Sequence, residues 1–453
     1  MAIMQIIRWR GINIELLTGA IIFVITYLIF LASHVYQSAD SKYSMLVGES
    51  LWYHRSFTLD HYRIPGFYPA GQNGETARNG VYQLELVNGH IYYAYPPGSS
   101  VLSVPYIIFM NALGVSSANP DGAYNPKGEM KIESGLAALL MAAFVTTLFY
   151  TGRLLLTLYW SVVIAIGSAL GTQIWSTASR AMWSDTWGVF LMGLVIWMLL
   201  SEQVRAQPLR PVMLASLLSW SFFVRPTSSL PIMAVTIYLI LFHRSLLARF
   251  AVTGALWLAG FVAYSWHTFG KLLPTYYAPN KLSFESFWMP LAGHLISPSR
   301  GLLIFVPTIL FIIYLLIHYA RALTSLRLVA LALGIIAAHL IMISGFPIWW
   351  GGHCYGPRLA TGLVPWFALL GILGMKARQV QFEDQLSSLS RFFKWGELTI
   401  GGTLLSLSIA VNGVGATAQR TWWWNVRPVN IDEHPERVWD WKNPQFLASQ
   451  YRD

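Results

Sequence analysis

The sequence predicts an all-α, polytopic integral membrane protein with about 11 transmembrane helices and a large first outer loop containing short interfacial helices. Three observations predict it. Hydrophobic residues make up 55% of 453 positions, and mean hydropathy is +0.50. Charged residues are only 11%, against roughly 25% in soluble domains, too few to coat several water-soluble globules. Apolar runs approaching the roughly 20 residues that cross a bilayer recur along the chain. The same composition excludes a disordered or collagen-like chain. A single cysteine, Cys354, excludes an intrachain disulfide and a multi-thiolate metal site.

The first span is expected at 14–33. Arg8 and Arg10 precede it, which sets the amino terminus on the cytoplasmic side. Its apolar run exceeds the roughly 7–15 residues of a signal-peptide core, and no small-residue cleavage site follows, so it reads as an uncleaved span. Residues 34–97 are polar, aromatic and rich in Gly, Pro and Asn, too long for an ordinary connection and therefore functional. Residues 99–115 are apolar but short and contain Pro105, and read as an interfacial or re-entrant segment.

Ten further spans are expected at 134–151, 157–176, 185–200, 211–224, 228–243, 248–268, 301–318, 326–344, 359–375 and 398–414. Every loop that this alternation places in the cytoplasm carries basic residues: Arg153; Arg205 and Arg210; Arg244 and Arg249; Arg321 and Arg327; then Lys376, Arg378, Arg391 and Lys394. The net charge of +10 is thereby explained by membrane topology and not by nucleic acid. Trp175, Trp183, Trp187, Trp349, Trp350 and Trp422–Trp424 fall near outer ends, where tryptophan favours the interface. The organisation is then a transmembrane domain over 1–414, with the outer loop 34–133 inserted after span one, and an outer-face tail over 415–453.

Carboxylates near the middle of spans are essentially absent; Glu15, Glu133, Asp185 and Glu397 stand at span ends. Ion-coupled transporters commonly place ionisable groups near the midplane, which weakens the rival reading, a lipid or sugar translocase. A multispan scaffold does not explain why Arg, Gly-Gly and Asp gather on one face. The unusual polar segments are Asp40-Ser41-Lys42-Tyr43, Tyr95-Pro96-Pro97-Gly98, Arg225-Pro226-Thr227, Ser297-Pro298-Ser299-Arg300-Gly301 and the run Trp349-Trp350-Gly351-Gly352-His353-Cys354-Tyr355-Gly356-Pro357-Arg358.

In these strings, over roughly residues 1–375, the chain resembles the glycosyltransferase C superfamily, especially bacterial relatives of the protein O-mannosyltransferases and aminoarabinose transferases (family 39-like). The resemblance implies a polyprenyl-phosphate sugar donor, a lipid, glycan or protein acceptor, and a site at the outer face of a bacterial plasma membrane. Many members carry two adjacent acidic residues after span one. Here Asp40 is followed by Ser41, with Glu49 nine residues on, so either carboxylate is a candidate.

With such a donor, Asp40 is the leading base for the acceptor hydroxyl; a helix-capping Asp is the plain alternative. Glu49 and Asp60 rank below it. Arg358 is the leading ligand of the donor phosphate, because a guanidinium fork stabilises the leaving anion. Arg300, Arg225 and His353 are further phosphate candidates, each with a snorkelling or structural alternative. Tyr95, Asp185 and Trp350 are expected to line the substrate, with His267 and His294 structural or lining. Pro96-Pro97-Gly98 is expected to shape the loop without chemistry. His353 and Cys354 are adjacent on a Gly-rich loop and make a poor metal pair. A divalent cation, Mg or Mn, held by Asp40 and phosphate oxygens is left open.

Overall fold

The computed structural model describes residues 13–37, 40–65, 81–278, 282–383 and 388–448. Arg8 and Arg10, on which the sidedness of the amino terminus rests, lie outside the described residues, as do the side chains of Arg391 and Lys394. The chain is mostly helical. Seven helices are long and apolar enough to cross a membrane: Ile14–Ala32, Pro126–Arg153, Ser184–Arg205, Arg244–Phe269, Leu326–Ser344, Arg358–Gln381 and Trp395–Thr417. Five shorter apolar helices accompany them: Gly98–Ala112, Leu158–Leu170, Pro211–Val224, Pro226–Phe242 and Thr308–His318. Each of the 11 expected spans therefore contains a helix, but four of those helices fall short of full membrane length.

Local chemistry explains two of the short ones. The span expected at 157–176 stops at Leu170 with Gly171, then turns through a wide helical turn, Ile174–Ala178. The span expected at 301–318 is broken into Leu302–Phe305 and Thr308–His318. Pro307 stands at the break, where it has no N–H to donate into a continuous ladder.

Burial sorts the long helices. The apolar windows of Arg358–Gln381 and Pro126–Arg153 are 78% and 72% buried, so these two lie at the centre of the bundle, whereas those of Ile14–Ala32 and Arg244–Phe269 are 22% and 11% buried. Leu16, Ile21, Val24, Leu28, Val252 and Leu256 are thus exposed on smooth apolar faces. In water these would be far larger than the patches soluble monomers tolerate, and in a bilayer they face a matching solvent. Ile14–Ala32 and Pro126–Arg153 pack side by side, and Gly19 leaves room there for the Tyr150 hydroxyl, which would lie 2.3 Å from an added Cβ.

The described part of the polar stretch after the first long helix is structured. It holds the helix Ser44–Tyr53 and an antiparallel hairpin, Leu84–Val87 with His90–Tyr93. Asn88 and Gly89 form its turn with φ of 52° and 84°, the left-handed pair that a two-residue hairpin demands. A local core of Tyr43, Leu46, Val47, Leu59, Ile64, Leu84 and Ile91 holds this module together. The tail forms its own small core: Trp424, Ile431 and Val438 pack on Trp349.

Candidate functional site

The site is built where the loops meet at one end of the bundle. Asp40 lies between the first long helix and Ser44–Tyr53. That second helix has no side-chain cap of its own. Its leading amides are capped in trans instead: Glu129 accepts the N–H of Tyr43 at 3.1 Å and of Met45 at 3.0 Å. One helical turn on, Glu133 accepts from the Tyr36 hydroxyl and from Ser44 Oγ at 3.4 Å. Both glutamates are buried. Spaced i, i+4 they share a face of Pro126–Arg153, and they clamp the chain on both sides of Asp40. The sequence reading took Glu133 as a span-end residue and did not single out Glu129; paired carboxylates at the mouth of an apolar helix were the available signal.

Asp40 Oδ2 is ion-paired with Arg358 Nη2, which lies 318 residues away in sequence. The Tyr95 hydroxyl donates to Asp40 Oδ1 at 2.9 Å, and the Tyr93 hydroxyl donates to the Asp40 backbone carbonyl. The Arg358 guanidinium carbon lies over Trp183, 3.6 Å from the ring centroid. That ring is 1% exposed, so the cation–π contact is desolvated, the setting in which it is strongest. Nη1 reaches the Gly351 carbonyl at 3.4 Å, and Nε is buried with no partner. Arg358 therefore holds its carboxylate with one edge of the fork and keeps unsatisfied donors.

A second ion pair stands close by. Arg225 Nη1 meets Asp185 Oδ2, and Arg225 Nε donates to Thr227 Oγ1 at 3.1 Å. Asp185 is 1% exposed in the first turn of Ser184–Arg205, where an anion also suits the helix dipole. The Tyr276 ring lies 5.1 Å from that of Tyr95, and its phenol feels the charges of Asp40, Arg225, Arg358 and Asp185. Burial, with the Asp40 charge beside it, pushes the Tyr95 and Tyr276 phenols above their ordinary range, so both stay protonated donors.

No family model and no curated protein matches the chain. The reading of this site therefore rests on its own geometry.

Tyr95-Pro96-Pro97-Gly98 is joined to the second pair through the backbone. A Cβ at Gly98 would lie 2.5 Å from the carbonyl carbon and oxygen of Phe223 and 2.7 Å from the nitrogen of Val224. Only glycine lets the two backbones meet there, immediately before Arg225. Tyr277 pins the same strand of backbone, donating to the Phe223 carbonyl at 2.9 Å.

Arg300 is elsewhere, and all five of its N–H donors are spent. Nε donates to Trp350 O at 2.7 Å, Nη1 to Ser299 O at 2.8 Å and Gln445 Oε1 at 2.6 Å, and Nη2 to Gly352 O at 3.3 Å and Asn425 Oδ1 at 3.0 Å. A guanidinium has no further donor to offer a phosphate. Contrary to the sequence expectation, Arg300 knots the tail to the Gly-rich loop. The carbonyls of 350 and 352 are gripped by Arg300 while that of 351 faces Arg358, so Arg300 positions the loop that carries Arg358.

His353 and Trp350 also turn to the tail. His353 Nε2 meets Asn430 Oδ1 at 2.8 Å and Asp432 Oδ2 at 3.5 Å, and Trp350 Nε1 donates to Asp432 at 2.9 Å. Glu49 faces away from the pairs: it accepts Ser117 N at 2.6 Å, Ser116 Oγ at 3.0 Å and Asn111 Nδ2 at 3.2 Å. Its work is to fasten the module, and burial raises its pKa. Asp60 accepts from His90 Nδ1 at 2.7 Å and Ile91 N at 2.8 Å, tying the hairpin to the preceding loop. His294 Nε2 meets the Ile343 carbonyl at 3.2 Å inside the fold. Among the described residues no group of three or more His, Cys, Asp or Glu side chains converges as metal ligands.

Proposed function

We propose that the protein is a membrane glycosyltransferase that moves a sugar from a polyprenyl-phosphate carrier to an acceptor hydroxyl at the end of the bundle where Asp40 and Arg358 meet. The observation that carries this reading is their ion pair, with Arg358 seated on Trp183 and its Nε unpartnered. In the resting protein each neutralises the other. A phosphate arriving at Arg358 competes for the guanidinium, because phosphate accepts bidentate pairs as carboxylate does. Asp40 is then released to accept the proton of the acceptor hydroxyl.

The chemistry balances without a cofactor. The acceptor oxygen attacks the anomeric carbon, its proton passes to Asp40, and the bond from anomeric carbon to phosphate oxygen breaks. The electron pair leaves with polyprenyl phosphate, whose charge Arg358 stabilises. Arg225, whose charge also reaches Tyr276, supplies a second positive charge. Attack opposite the leaving group inverts the anomeric centre. The Mg or Mn ion left open by the sequence has no step assigned to it. We take the four shorter helices to complete 11 crossings of a bacterial plasma membrane, amino terminus inside and tail outside.

The test is sugar transfer in proteoliposomes with a polyprenyl-phosphate-linked donor, comparing Arg358→Lys with Arg63→Lys, a change in an exposed ion pair. Lysine keeps charge but loses the fork. Arg358→Lys should lower transfer at least tenfold and Arg63→Lys should not; equal activity removes the phosphate role. The translocase reading predicts carrier movement across the bilayer with no sugar transferred.

A further inference from the structure

Three exposed arginines, Arg205, Arg244 and Arg327, gather at the end of the bundle away from Asp40. Arg205 closes the helix Ser184–Arg205, whose first turn holds Asp185. About 30 Å of helix therefore separates it from the Asp185–Arg225 pair, the thickness of a bilayer core. The three share a neighbour, His243, at the junction of Ser229–Phe242 and Arg244–Phe269. Glu202 Oε2 approaches His243 Nε2 at 3.7 Å, and Arg205 stands three residues on from Glu202, on the same helix face. Arg244 follows His243 directly. Phe242 precedes it and carries the Arg327 guanidinium carbon, 4.2 Å from its ring centroid.

Among the described residues none of these three arginines is ion-paired with a carboxylate. Arg244 Nε donates to the Ile240 carbonyl at 2.9 Å, and its two amino groups stay open to an outside acceptor. Neighbouring like charges repel, and an anion set among them removes that cost. Apolar surface adjoins the cations. Ile237 and Leu241, spaced i, i+4 on Pro226–Phe242, are exposed, as are Leu326 and Leu333, spaced i, i+7 on Leu326–Ser344. The two helices pack together. A cationic rim beside hydrocarbon ridges matches a lipid with an anionic head, whereas a free phosphate ion would leave the ridges uncovered.

We propose that Arg205, Arg244 and Arg327 bind the headgroup phosphate of an anionic phospholipid, with its acyl chains along Ile237, Leu241, Leu326 and Leu333. Guanidinium forks pair with phosphate oxygens, and basic groups beside a membrane-crossing helix attract anionic lipids of the cytoplasmic leaflet. The basic loops of the sequence set this end toward that leaflet. The inference does not depend on the transfer reaction, because the lipid seats here whatever happens at Asp40.

The experiment is binding of fluorescently labelled phosphatidylglycerol to the purified full chain in neutral detergent, with three unlabelled competitors. Phosphatidylglycerol should compete at least tenfold better than phosphatidylcholine, whose phosphate is neutralised by its choline. Glycerol 3-phosphate, the headgroup anion without acyl chains, should not displace the probe at the concentration where phosphatidylglycerol does. The triple variant Arg205→Gln, Arg244→Gln, Arg327→Gln should weaken binding at least tenfold and erase the preference over phosphatidylcholine. Arg327→Gln alone, expected to weaken it about fivefold, serves if the triple variant fails to fold. Arg249→Gln is the control: Arg249 is exposed on the same helix as Arg244, but five residues on, about 140° around it, and its loss should leave binding unchanged. No binding, equal competition by phosphatidylcholine, displacement by glycerol 3-phosphate, undiminished binding in the triple or the Arg327 variant, or an equal loss in Arg249→Gln would each overturn the proposal.

Discussion

Gly98→Ala tests how the loop motif is coupled to the second ion pair. The added methyl would stand 2.5 Å from the Phe223 carbonyl and 2.7 Å from Val224 N. Those neighbours are backbone and have no rotamer to yield. Overpacking of this kind costs about 1–3 kcal/mol, and the relief available is to push residues 223–225 outward. Arg225 is the next residue, so its guanidinium shifts from Asp185. Misplacing a substrate-binding group by about 1 Å can cost on the order of 100-fold in rate, so we expect transfer to fall by about 10- to 100-fold. Stability is read through Cys354, which is buried and becomes maleimide-reactive only as its surroundings open; the temperature of that opening should drop by a few degrees. Gly188→Ala is the matched control. Its Cβ meets nothing within 4 Å in the interior of Ser184–Arg205, and alanine there should be neutral or stabilising by up to about 1 kcal/mol. If Gly98→Ala matches Gly188→Ala in both opening temperature and transfer, the close backbone approach is refuted.

Three further outcomes are expected. Glu49→Gln should keep full transfer, since an amide can retain the bonds to Ser117 and Ser116, whereas Glu49→Ala strands those donors and should cost about 1–3 kcal/mol; loss of transfer in a folded Glu49→Gln would return Glu49 to the chemistry. The raised pKa of Glu49 means that its folded form holds its proton more tightly than its unfolded form. Its contribution is therefore full below about pH 4.5 and lost as pH rises through the folded value; Glu49→Gln should flatten that slope in Cys354 reactivity, and an unchanged slope counts against it. Arg300→Met, removing five hydrogen bonds from a buried knot, should open Cys354 at lower temperature by more than any rim substitution, and a wild-type profile would show that the knot holds nothing.

How much of this was legible depends on the range of the forces involved. Helices within the first span and within 326–344 follow from apolar length alone, because bilayer thickness fixes it. The break at Pro307 was readable from proline's missing donor but was absorbed into one apolar run. The hairpin at Asn88-Gly89 carried a plain two-residue turn signal, obscured by a polar loop read as a whole. The partnership of Asp40 with Arg358 is a contact between segments 318 residues apart; the residue types were legible, the pairing was not. Arg300 misleads for the same reason, since its five acceptors come from four separate stretches, and only their convergence reveals that no donor is left. Glu129 was overlooked because a carboxylate at a helix start looks like an ordinary dipole partner until the chain it caps is seen to be another one.

The most direct measurement is the turnover of Asp40→Asn in proteoliposomes at saturating lipid-linked donor, on protein whose Cys354 opening temperature equals that of the wild type. Asparagine keeps the shape and can still accept from Tyr95, but cannot take a proton from the acceptor. Transfer reduced by about 100-fold or more, with donor binding kept, is the predicted result. Wild-type turnover by that variant would contradict the account at its centre.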